Sequence, residues 1–165
     1  MNITVKQIPG YISYFDCQTF LSYLKEFGAG EVVEAHGGTD SSAPTQERIG
    51  AVVRSVKDFH ASRYAGEYFE DHGRYIEQKL SQIEVVFTPN GNLEIPADAT
   101  WGCAFYFSQL GDDYQGDPDV FGTLEVIPKW GDIVIFSTKE AHSVGKISEG
   151  ASPRLYAFWK EASEV

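Results

Sequence analysis

The chain has few of the residues that staple, steer or anchor a protein. Its 165 residues include two cysteines, Cys17 and Cys103. Both lie inside apolar segments, which excludes a disulfide framework and points to two buried thiols in a reducing setting. Basic residues are also short, with 13 Lys and Arg against 24 Asp and Glu and a formal net charge of −11. Nucleic acid and anionic membrane surfaces both reward clustered Lys and Arg, so neither is an expected partner; small molecules or other proteins are. No apolar run approaches the roughly 20 residues that cross a bilayer. The opening MNITVKQIPG lacks the charged-then-apolar layout of a secretory signal, so a cytoplasmic location is expected. A phosphate-cradling glycine loop, a nucleophile motif built on Ser, Cys or His, an internal repeat and a linker are all missing. The acidic stretch GDDYQGDPD, Gly111 to Asp119, lacks the ligand spacing of a calcium loop and is expected to be a solvated hairpin loop.

What is there suffices for one domain, 1–165, in two blocks. A chain of this length buries about two-thirds of its unfolded surface and needs no metal or disulfide staple to fold. In the first block, 1–80, ITVKQIPGYI alternates like an edge strand and breaks at Pro9-Gly10. Cys17, Phe20, Leu21, Leu24 and Phe27 then follow at helical spacing, with Asp16 placed as N-cap and Gly28 as C-cap. EVVEA is a possible strand, HGGTDSSAP a connection, and YAGEYFEDHGRYIEQKL an expected helix. IGAVVRSV suits helix or strand equally. The second block, 81–165, changes grammar: IEVVF, NLEI, WGCAFYFS, GTLEVI, GDIVIF, SVGKI and RLYAFW are short, β-branched and aromatic, and are divided by Pro, Gly, Asn and Asp. Seven such strands predict a sandwich or small barrel with the helices packed on one sheet, a mostly β fold with N-terminal helices. Period-2 alternation is expected to send Phe105, Phe107, Leu124, Val126, Val134 and Phe136 into one core.

Several segments together carry a family resemblance. IPGYISYFDCQTFLSYLKEFG, FTPNGNLEIPADA, AFYFSQ, FGTLEVIPKWGDIVIFS, AH and PRLYAFW, in that order and over nearly the whole chain, resemble the prolyl 4-hydroxylase branch of the 2-oxoglutarate- and iron(II)-dependent oxygenases. That resemblance implies a double-stranded β-helix, or jelly roll, over 81–165. In the family one strand carries H-x-D, a later strand a second His, and an Arg or Lys about ten residues beyond it holds the cosubstrate. PKWGDIVIF followed by His142 and Arg154 keeps that order.

The residues so implied are Asp98 and His142 as metal ligands and Arg154 as the 2-oxoglutarate anchor, with Tyr106 facing the interior beside the cosubstrate. Two imidazoles and a carboxylate on one face of iron leave three positions for an oxo-acid and dioxygen. A guanidinium offers a planar two-pronged donor to a carboxylate. The chain departs from this pattern at Pro96, which stands where the first histidine belongs, and Phe87 stands where a cosubstrate-contacting Tyr is common. Halogenases in the superfamily give up the carboxylate and keep both histidines, whereas the loss here is the reverse. Losing even a supporting partner of a metal ligand costs about 10–100-fold in affinity or activity, so Asp98 and His142 alone make a weak site. His36, His60 and His72 are the other imidazoles, with His36 the first candidate for a third ligand.

Two functional readings follow. In the first, the protein is an oxygenase, hydroxylase-type, using Fe(II) and 2-oxoglutarate on a small-molecule or protein substrate. In the second, the jelly roll is a non-catalytic binding or structural module, for example a subunit of a filament or virion, whose metal site has degenerated. Plain structural roles stand beside both: His142 closing a polar turn, Arg154 pairing with an acidic neighbour, Asp98 in a turn.

Overall fold

Strand β3 (Trp101–Tyr106) has no polar side, which fixes the layering of the molecule. Its residues from Gly102 onward are all buried, so it must be covered on both faces. The computed structural model describes residues 5–24, 43–59, 80–88 and 93–161. In chain order these form β1 (Val5–Ile8), α1 (Tyr14–Leu24), α2 (Ala43–Phe59), β2 (Leu80–Thr88), β3, β4 (Gln115–Gly116), β5 (Asp119–Phe121), β6 (Leu124–Val126), β7 (Ile133–Ser137), β8 (His142–Ser143), β9 (Ile147–Glu149) and β10 (Arg154–Glu161). The chain is mostly β with few helices among the described residues. A five-stranded antiparallel sheet runs β1-β7-β3-β10-β2, and beside it lie a three-stranded sheet, β6-β5-β8, and a β4-β9 ribbon.

Register decides which side chain enters which core. Phe105 lies opposite Ile133 and Leu155, while Ala104 lies opposite Val134 and Tyr156. Paired residues share a face. Cys103, Phe105, Phe107, Ile133, Ile135, Leu155, Ala157 and Trp159 therefore meet Cys17 and Phe20 of α1 and Ile49, Val53 and Val56 of α2. Ala104, Tyr106, Val134, Phe136, Tyr156 and Phe158 face the other way, onto Phe121 and Val126 of the small sheet. The single core expected from Phe105, Phe107, Leu124, Val126, Val134 and Phe136 is thus two cores. Phe105 of β3 and Phe107 just beyond it are on the helix side, and the other four are on the small-sheet side.

The helices follow from their spacing. IGAVVRSV is helical because Ile49, Val53 and Val56 recur at 3.6-residue intervals and all three are buried against the sheet; the moment of that stripe outweighs β-branched propensity. In α1 the cap is Ser13, whose Oγ accepts the Asp16 backbone N–H at 3.1 Å. Asp16 is the third residue of the helix, in its first turn, and forms an ion pair with Arg48 of α2, a correction to its expected capping role. NLEI is another: residues 93–95 form no strand, although Leu93 and Ile95 pack on the small-sheet core. SVGKI is divided between β8 and β9. EVVEA, Phe27, Gly28, most of HGGTDSSAP and residues 64–79 lie outside the described residues. Among the described residues no helix is long and apolar enough to cross a membrane.

Candidate functional site

Arg154 opens β10, directly across from Tyr106 of β3 and Thr88 of β2. It shares the face of Tyr156 and Phe158, which sends a guanidinium into the core between the two sheets, where it is 0% exposed. Burying an unpaired cation there would be prohibitive. The compensating charge comes from the small sheet. Asp119, first residue of β5 and 1% exposed, pairs through Oδ2 with Arg154 Nη1.

Other groups complete the arrangement. Tyr106 Oη donates to the same Oδ2 at 2.8 Å, and the Gly145 backbone N–H donates to Oδ1 at 2.7 Å. Arg154 Nε donates to Ser152 Oγ at 3.2 Å and Nη2 to Tyr114 Oη at 3.3 Å. The guanidinium carbon lies 5.0 Å from the Tyr106 ring centroid, a cation–π contact. Burial works against the Arg154 charge, yet Tyr156, Asp119 and Tyr106 around it outweigh burial and raise its pKa. Burial and then Asp119 hold the Tyr106 phenol well above its ordinary value. At neutral pH the Arg154 guanidinium is thus charged, and the Tyr106 phenol is neutral and donates to Asp119. Thr88 Oγ1, in register with Arg154, is buried and has no hydrogen-bond partner.

Of the residues singled out from the sequence, Arg154 and Tyr106 come together, and they do so on Asp119. Asp98 and His142 are both exposed. Asp98 lies in a turn where Ala99 N–H donates to the Pro96 carbonyl at 3.0 Å. The next residues are tied to the turn before β8, Thr138 Oγ1 donating to the Ala99 carbonyl at 2.7 Å and Thr138 N–H to the Thr100 carbonyl at 3.1 Å. His142 pairs with Phe121 at the edge of the small sheet. Among the described residues no three His, Cys, Asp or Glu side chains gather as a metal site, while His36, His60 and His72 lie outside those residues. A facial iron site needs three protein donors; among the described residues the family pattern offers two, Asp98 and His142, both exposed, and a proline where the other belongs. The anchor does not fit a second carboxylate while Asp119 holds it.

Asp119 was hidden inside the stretch expected to be a solvated loop, and that expectation needs correcting. Asp112, Asp113 and Asp117 are exposed, but Tyr114 and Asp119 are buried. The available signal was local: in Asp119-Val120-Phe121, period-2 alternation puts the carboxylate on the same face as a core phenylalanine.

No family model and no curated protein matches the chain. Solved structures do match. The truncated viral collagen prolyl hydroxylase of Paramecium Bursaria Chlorella virus-1 superposes with a TM-score of 0.64 at 13% identity, covering 98% of this chain and 91% of that one; the same enzyme is also matched in its 2OG complex. A Trichoplax adhaerens prolyl hydroxylase, in complex with a hypoxia inducible factor oxygen degradation domain peptide fragment, gives 0.63 at 11% identity, over 96% of this chain and 84% of that one. HygX from Streptomyces hygroscopicus with iron bound gives 0.59 at 12% identity, covering 95% and 82%. The chain therefore has the fold of prolyl 4-hydroxylase-like 2OG-Fe(II) oxygenases.

Proposed function

We propose that this chain uses the prolyl hydroxylase fold as a non-catalytic binding module. The observation that carries the reading is the Asp119 carboxylate on Arg154: the chain supplies from within the anion that the resemblance assigns to a cosubstrate. Pro96 and the exposed Asp98 and His142 agree with it, since a site without cosubstrate has no use for iron. A protein segment is the favoured partner class, because one matched enzyme is in complex with a peptide fragment. The module suits a cytoplasmic protein or a subunit of a larger assembly such as a filament or virion. Isothermal titration of 2-oxoglutarate and of Mn(II) into the wild-type protein, alongside succinate release with Fe(II) and ascorbate, tests the reading. It expects no saturable 2-oxoglutarate binding and no succinate; turnover above a protein-free control refutes it.

The convergence of Arg154 and Tyr106, with the unpartnered Thr88 hydroxyl beside them, favours the second reading, a hydroxylase-type Fe(II)/2-oxoglutarate oxygenase. There Asp98 and His142 would hold iron with a third ligand from outside the described residues, and Asp119 would have to leave Arg154. Succinate release is the outcome that selects it.

A further inference from the structure

Among the described residues three large apolar side chains are exposed, Tyr14, Phe15 and Ile127, and two of them are the first residues of α1. Phe15 is 72% exposed, although α1 has its core contacts in Cys17 and Phe20. Tyr14 meets Trp130 edge to face, with ring centroids 5.2 Å apart. Trp130 is held in turn by Asp113, whose Oδ2 accepts its Nε1–H at 2.6 Å. Gln109 sets the acidic side: its backbone N–H donates to the same Asp113 oxygen and its Nε2 to Asp112 Oδ2, each at 2.8 Å. Two exposed carboxylates thus border aromatic rings whose positions are already fixed. An exposed apolar patch with a polar rim marks an interaction surface, and carboxylates beside aromatic rings suit a cation, which gains from both. We propose that this corner, built from Tyr14, Phe15 and Trp130 with Asp112 and Asp113, docks a segment of another protein that carries Arg or Lys beside an apolar residue. The cation takes the carboxylates and the rings, and the apolar residue covers Phe15. Charge decides against other occupants. A second copy meeting this face through its own sets Asp112 and Asp113 against themselves, and a chain of net charge −11 repels nucleic acid. Lys129, next to Trp130 and exposed, is outnumbered by the two carboxylates. The corner shares no residue with the Asp119–Arg154 centre, so it holds under either reading of the fold, and succinate release does not bear on it.

Trp130 is also the reporter. Of the three tryptophans, Trp159 is buried in the core and serves as the internal control. The probe is the peptide acetyl-Arg-Leu-Arg-Leu-Arg-amide, set against acetyl-Glu-Leu-Glu-Leu-Glu-amide, and the measurement is the nitrogen–proton correlation spectrum of the isotope-labelled full chain. The arginine peptide should move the Trp130 indole signal saturably and leave that of Trp159 in place; the glutamate peptide should move neither. Asp112→Asn and Phe15→Ser alter exposed side chains and keep the fold. Each should weaken the arginine peptide about 2–5-fold, and added salt should weaken it further. A Trp130 signal indifferent to the arginine peptide, an equal response to both peptides, or an affinity that neither variant changes overturns the proposal. So does a wild-type dimer in sedimentation that Phe15→Ser dissolves, since the face then belongs to a second copy.

Discussion

Tyr106 and Arg154 face each other across β3 and β10 and are linked in two ways: the ring lies 5.0 Å from the guanidinium carbon, and the phenol shares the Asp119 oxygen that the guanidinium holds. Tyr106→Phe separates those contacts, since it keeps the ring and removes the 2.8 Å bond. A hydrogen bond to a charged group is worth about 1.5–3 kcal/mol. Urea unfolding should give a stability in water lower by that amount, read as a lower midpoint with an unchanged slope.

Arg154 and Asp119 should be strongly coupled. Truncating one partner of a buried pair costs about 3–5 kcal/mol because the other charge stays buried. Arg154→Met and Asp119→Leu should each lose roughly that much, and the double variant should lose much less than the sum. A double-mutant cycle by chemical denaturation measures it; additive losses would mean that the two charges do not meet.

Alkaline pH should destabilise the fold. Burial first, then Asp16 and Asp132, raises the Cys17 thiol from 9.0 to about 12, and burial raises the Tyr156 phenol from 10.0 to about 12 against the opposing effect of Arg154. Both groups are neutral when folded and ionise more easily when unfolded. Their contribution is complete below pH 9, falls from pH 9 for the thiol and from pH 10 for the phenol, and is gone above about 12. Melting temperature against pH should trace that decline, and Cys17→Ala should remove its lower part.

Gly145→Ala should loosen the segment between β8 and β9. A Cβ there would strike the Asp117 carbonyl and crowd that of Pro118, so the backbone must move and the N–H that holds Asp119 moves with it. Overpacking of this kind costs about 1–3 kcal/mol. Hydrogen exchange at residue 145 should accelerate more than at Phe105 in the central strand.

Pro96→His restores the imidazole of the family pattern and should nevertheless bind Mn(II) no better than wild type, since Asp98 and His142 are both exposed and Asp119 holds the anchor. Titration calorimetry decides it; a tenfold gain would favour the oxygenase reading.

The strands of the C-terminal block were legible because their apolar runs are short and punctuated, and α1 because its stripe is strict. The split of Phe105 from Val134 was not, since parity along one strand says nothing about the partner strand's phase; only the Phe105–Ile133 register shows it. Arg154 and Tyr106 could be named from the family pattern. Asp119 could not, because one buried carboxylate among three exposed ones looks the same in composition. The plain role for Arg154, a pair with an acidic neighbour, had the right partner class, and the structure puts that pair in the core.

The ion pair that joins the two sheets also works as an alignment key. Strand β5 is three residues long and alternates faces, so a slip of one position would turn Asp119 outward and set Val120 against the guanidinium. The mismatch would strand a buried cation with no anion near it, far costlier than a misplaced methyl group. Apolar contacts between Phe121 and Phe136 would tolerate some sliding; the charges do not, so the small sheet has one seat on the large one.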